Sequence, residues 1–205
     1  MTKTIFLKSN TIKKQQLIMK TIKYISVLFI SIFISSCSDD DTPPAPVNEE
    51  EVITTMTITL QSPLGDNVEL KTYDSDGDGP NEPVLTVSGN LAAATIYTGT
   101  IELLNETESP AEDITEEIAE EDLEHQFFFN VGGGLDCVAT YAQEPGGFDS
   151  EGNPLGLTFN LTTSSAGSGT FTVTLRHEPT KPNDGTLSGA GGSTDIDATF
   201  NISVE

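Results

Sequence analysis

The sequence has no tryptophan, only two cysteines and two histidines, and nine basic residues. Each scarcity excludes something. Without tryptophan, a sugar-stacking platform would have to be built on tyrosine. Two cysteines, Cys37 and Cys137, do not make a disulfide framework. Six of the nine basic residues precede Cys37, so only Lys71, Arg176 and Lys181 stand against all 32 acidic residues beyond it. Residues 37–205 therefore carry a formal charge of −29 (three against 32). Charge of that size excludes nucleic acid and anionic lipid surfaces as attractive partners, repels like chains so that a monomer is expected, and gathers cations. Motifs for catalysis are missing as well. No Gly-x-Ser-x-Gly elbow occurs, and Gly132-Gly133-Gly134 has neither the helix nor the lysine of a phosphate loop. Paired carboxylates are everywhere in so acidic a chain and carry no information. No enzyme is expected.

Long apolar runs are also lacking. Tyr24–Ile34 is about half of the ~20 residues a membrane span needs, and Lys20 and Lys23 precede it. The run ends in Ile34-Ser35-Ser36-Cys37, and small residues before a lone cysteine resemble the lipobox of bacterial lipoproteins. That resemblance implies removal of residues 1–36 as a signal peptide and lipidation of Cys37, which would hold the protein at the membrane. Met19-Lys20 opens a signal peptide of ordinary length, so Met19 is the expected start. Ser38-Asp39-Asp40-Asp41 resembles the acidic tag that marks surface export in lipoproteins of the Bacteroidetes type, which implies an outer-membrane anchor with the domain facing outward. Residues 37–51, with Thr42-Pro43-Pro44-Ala45-Pro46 and Asn48-Glu49-Glu50-Glu51, read as a stiff, acidic tether.

The remaining stretch, residues 52–205, suits one domain with one core. Its dominant signal is period-two alternation broken by glycine, proline, asparagine and aspartate. Such segments are Val52–Leu60, Val68–Lys71, Val84–Val87, Thr95–Leu104, His125–Val131, Val138–Gln143, Leu155–Leu161, Phe171–Leu175 and Ile196–Val204. Threonine-rich outer faces against apolar inner ones predict antiparallel sheets wetted on one side. The expected fold is all-β, an antiparallel two-sheet sandwich of immunoglobulin-like or jelly-roll type, with a closed barrel as competitor. Cys137 is expected as a buried small hydrophobe in a strand. One segment departs from the pattern. Ser109-Pro110-Ala111-Glu112 carries helix-start chemistry, which predicts a short acidic helix over 110–122 with Ile114, Ile118 and Leu123 as its apolar stripe.

Two groups of residues suggest cation chemistry. Asp74-Ser75-Asp76-Gly77-Asp78-Gly79 offers alternating carboxylates on a tight turn, which calcium can use, with Glu82 completing the set. It matches the first half of an EF-hand loop but has Leu85 where the bidentate glutamate belongs, and Asp-Gly is also plain hairpin chemistry. The second group rests on the two histidines. His125 extends the stripe of Phe127 and Phe129, and His177 extends that of Phe171, Val173 and Leu175. If the two strands pair antiparallel, both imidazoles stand at one end of the sandwich. With Glu124 or Glu178 they would suit zinc or another transition metal. The alternative is a pair of hydrogen-bonded histidines at the edge of the core.

Thr72–Gly79, Tyr97-Thr98-Gly99, Leu104-Asn105-Glu106, Glu112–Glu117, Glu124-His125-Gln126, Leu175–Pro179 and Gly191–Ile196 together resemble a group of uncharacterised short lipoproteins of flavobacterial type. The resemblance spans most of the chain after Cys37. The label such proteins carry, a type 1 periplasmic-binding fold, implies alternating strands and helices over a longer chain, whereas one helix is found here. No site residues come with the resemblance. The expected function is that of a lipid-anchored, non-enzymatic binding module for a cation or small ligand, beside an outer-membrane transporter. The alternative is a structural or adhesive surface domain with no specific ligand.

Overall fold

A strand with one apolar face is stable only when another layer covers that face. The computed structural model describes residues 51–77 and 79–205. In chain order its elements are β1 (Thr55–Gln61), β2 (Asn67–Tyr73), β3 (Val84–Val87), β4 (Ile96–Asn105), β5 (Glu112–Asp113) and α1 (Ile114–Glu120). Then come β6 (His125–Gly132), β7 (Cys137–Tyr141), β8 (Thr158–Thr163), β9 (Gly167–His177), α2 (Leu187–Ala190) and β10 (Ser193–Val204). One antiparallel sheet runs β3-β2-β1-β4-β8-β7, with β5 paired to β4; the other runs β10-β9-β6. The chain is thus an all-β sandwich and not a closed barrel.

The core lies between the sheets, where alternation put it. The larger sheet contributes Met56, Ile58, Leu60, Leu70, Leu103, Phe159 and Leu161, all fully buried. From the smaller sheet come Phe127, Phe171, Val173, Leu175, Phe200 and Ile202. In the β6–β9 register Phe127 faces Leu175, Phe129 faces Val173 and Val131 faces Phe171. The same register sets His125 opposite His177. Cys137 is buried at the start of β7, as expected.

One glycine shapes this core. Gly99 on β4 pairs with Phe159 on β8, and the Phe159 ring fills the space beside it. A Cβ on Gly99 would come within 2.4–2.8 Å of three ring carbons. The ring cannot simply move away, because it stacks on Phe129 at a centroid distance of 4.3 Å.

The acidic helix is present but shorter and later than its start signals imply. Ser109 and Pro110 do not begin it. Glu112 and Asp113 instead pair with Asn105 and Leu104 of β4, so their backbone belongs to the sheet. Asp113 becomes the cap, its side chain accepting from Thr115 N–H at 3.0 Å. Ile114 and Ile118 are buried as expected, but Leu123 lies past the helix end and is 45% exposed. Thr115 fastens the helix to the sheet, its hydroxyl accepting from Leu103 N–H and donating to Leu103 C=O. The four-residue α2 just before β10 is capped by the Thr186 hydroxyl, which accepts from Gly189 N–H. Leu155–Leu157 precede β8 rather than opening it.

Gly99→Ala should lower stability by about 1–3 kcal/mol, the usual cost of forcing a methyl into a filled core. Urea denaturation of the two proteins measures it, and an unchanged midpoint would show that Phe159 can shift freely.

Candidate metal centre

Strand pairing places the two histidines side by side. As cross-strand partners at the end of β6 and β9, their ring centroids are 4.7 Å apart. Both face inward, with side chains 0% and 6% exposed. Between them lies a carboxylate from outside every strand. Glu51 stands four residues before β1, yet its side chain is only 5% exposed. Its Oε1 is 2.9 Å from His125 Nε2, and its Oε2 is 3.4 Å from His177 Nδ1.

The fourth member comes from a β-bulge. In the β10–β9 register Thr194 faces Arg176 and Ile196 faces Leu175, which leaves Asp195 as the extra residue. A bulge re-aims the side chain it carries. Simple alternation from Ala198, Phe200 and Ile202 would turn Asp195 to the outer face, but its side chain is fully buried. Asp195 Oδ1 is 3.8 Å from His177 Nδ1, and Oδ2 is 4.0 Å from His125 Nε2. One ligating atom from each of Glu51, His125, His177 and Asp195 lies within 4.8 Å of the others.

The hydrogen bonds of His125 decide what its ring can do. Nδ1 lies 3.2 Å from the C=O of Glu121, which caps the C-terminal end of α1. A carbonyl only accepts, so Nδ1 carries the proton. A bare lone pair on Nε2 would then face the Glu51 carboxylate at 2.9 Å, which is repulsive. Nε2 must hold a proton or give its lone pair to another cation. Burial works against the charged imidazole, but the hydrogen bond and charge of Glu51, with the Glu121 carbonyl and Asp195, outweigh it and raise the His125 pKa. Burial likewise opposes ionisation of Glu51, and its hydrogen bond to His125 and the two imidazoles overcome this and hold its pKa low. Glu51 Oε2 and His177 Nδ1 are buried without a hydrogen bond among the described residues.

The other expected ligands fall in different places. Glu124 lies beside His177 Nε2, away from Glu51, and Glu124, Glu178 and His177 form a separate group that excludes His125. The four residues His125, His177, Glu124 and Glu178 therefore do not surround one point. In the acidic turn, Asp74 Oδ1 accepts from Asp76 N–H, and Asp76 Oδ2 accepts from the Asn81 amide. Glu82 is exposed. Among the described residues no group of three ligands forms there. Asp78 and Cys37 lie outside the described residues. Asp74 nevertheless lines a cleft of about 180 Å³ together with Gly77, Asp197, Glu51 and Asp195, so the turn borders the approach to the buried cluster.

Sequence reasoning missed Glu51 and Asp195. Glu51 was absorbed into the acidic tether, where nothing distinguishes it from Glu49 and Glu50. Asp195 sits in the polar phase of β10, and the bulge that inverts it leaves no mark in the alternation. Comparison with protein-family models, with curated proteins and with solved structures finds no match for the chain.

A buried ion pair braces the neighbouring loops. Lys181 Nζ donates to Asp122 C=O at 2.7 Å and to Asp149 Oδ2 at 3.1 Å. Burial of Asp149 opposes ionisation, but Asn153 and Lys181 outweigh this and hold its carboxyl below the usual range. A carboxyl depressed in the folded state adds stability that is present above its ordinary pKa and lost as pH falls through the folded one. Asp149→Asn should therefore flatten the acid limb of the stability curve and cost roughly 3 kcal/mol at neutral pH, since it leaves a buried ammonium unpaired. Urea midpoints across acidic pH test this; parallel acid limbs would contradict it.

Proposed function

We propose that this protein is a lipid-anchored, non-enzymatic module of the outer membrane that binds a divalent transition cation, zinc foremost, through Glu51, His125, His177 and Asp195. The carrying observation is the spacing of those ligands. Four donors at ~2.0–2.1 Å from a tetrahedral zinc stand about 3.4 Å from one another. The nitrogen–oxygen distances here, 2.9, 3.4, 3.8 and 4.0 Å, fall on both sides of that value. Two carboxylates and two neutral imidazoles balance a dication, and the Glu121 carbonyl on His125 Nδ1 is the outer partner that metal-binding histidines use to fix their tautomer. Calcium suits this set less, because it takes six to eight hard oxygens and avoids imidazole.

The cleft supports a route of entry. Asp74 and Asp197 beside Glu51 and Asp195 make its lining negative, which concentrates cations and turns anions away. The apolar run ending at Cys37, the acidic residues after it and the charge of −29 support an anchored domain held in solvent near the membrane, facing outward. A cation carrier in that place fits beside an outer-membrane transporter.

Zinc added to metal-stripped protein at about a hundred times its Kd should stabilise the fold by about 2.7 kcal/mol, which for a domain of this size raises Tm by roughly 5–10 °C. The effect should weaken as pH falls, because protons compete for the imidazoles. Glu51→Gln and His125→Gln should each abolish most of it. Hydrogen exchange should slow at residues 51–54 on zinc addition. A Tm indifferent to zinc, copper and cobalt would end the proposal.

A further inference from the structure

His177 has a second face. Its Nδ1 points to Glu51 Oε2 at 3.4 Å and Asp195 Oδ1 at 3.8 Å, whereas Nε2 lies 4.0 Å from Glu124 Oε2 on the other side of the ring. The side chain is 6% exposed, yet Nδ1 has no hydrogen bond among the described residues. The acid nearest Nε2 lies beyond hydrogen-bond reach. A ring this enclosed with acids around both nitrogens at such distances is poised for cations rather than protein partners. One atom from each of Glu124, His177 and Glu178 lies within 4.8 Å of the others, with Glu124 beside Nε2. The backbone holds the two acids together, because Glu178 N–H donates to Glu124 C=O at 2.6 Å.

We propose that His177 bridges two cations, an inner one bound through Nδ1 with Glu51, His125 and Asp195, and an outer one bound through Nε2 with Glu124 and Glu178. The inference rests on the inner site described above and adds a second position to it. When the inner ion holds the Nδ1 lone pair, the remaining ring proton is on Nε2. The outer ion takes the Nε2 lone pair as that proton leaves to solvent, and the ring becomes a bridging imidazolate. No electron changes hands. The two positions differ in kind. The inner is enclosed and has four protein ligands, while the outer has three and opens to water through Glu124, whose side chain is 58% exposed. The outer site should therefore bind more weakly, exchange faster and keep room for water or a further ligand. Imidazole and carboxylate together suit copper(II) and zinc.

The test is a titration of the metal-stripped protein with zinc alone and with copper(II) alone, followed by calorimetry and electron paramagnetic resonance. Two equivalents are expected, the second at least tenfold weaker. With two copper ions the resonance should fall well below the two-ion intensity, because the bridging ring couples their spins. Glu124→Gln/Glu178→Gln should remove only the second equivalent and restore an uncoupled one-copper signal. These acids are exposed, so the variant should fold, and an unchanged Tm without metal verifies that. One equivalent in both proteins would overturn the bridge and leave the inner site standing. Two equivalents that survive in the double variant, or two copper ions without coupling, would also overturn it. No binding at all would remove both sites.

Discussion

Glu51 and Asp195 are buried at one end of the sandwich, within a few ångströms of each other and of two imidazoles. Carboxylates taken out of water are costly unless a cation compensates them. In the metal-free protein the proton on His125 supplies part of that compensation, which explains why its pKa is raised and that of Glu51 lowered. A dication would supply it more fully, and with neutral rings. Much of the local architecture follows from that need for positive charge.

The small sheet makes the arrangement possible. Three strands, β6, β9 and β10, reach the same end and present His125, His177 and Asp195 from adjacent positions. Glu51 arrives from the segment that leads into β1 of the other sheet, so a cation held by all four would fasten the two sheets together. It would also fasten the point at which the chain enters the domain. Around this end the carbonyl of Glu121 orients one ring, while Lys181 and Asp149 tie the loops beyond α1. The acidic turn at Asp74 borders the approach.

Much of this was legible in the residues. Alternation in Phe171–His177 and His125–Val131 located two strands, their inner faces and the shared side of both histidines, because a strand has only two faces. The helix near Ile114 was visible from its apolar spacing, but not its start. Glu112 and Asp113 could satisfy their backbone either in a helical turn or on the edge of β4, and only β4 in place decides between them. The ring over Gly99 was invisible for the same reason, since it depends on which strand lies alongside.

By itself the sequence determined the class of fold, the inward faces, the scarcity of positive charge and the two imidazoles at strand ends. All of these follow from local periodicity and composition. Tertiary structure alone decided that the imidazoles are direct neighbours, that a bulge turns Asp195 inward, and that Glu51 returns across the end of the sheet to meet them. The register sets His125 against His177, 52 positions on, the bulge needs β9 and β10 side by side, and the chain crossing brings Glu51 to rings 74 and 126 positions away; no short stretch of chain encodes such contacts.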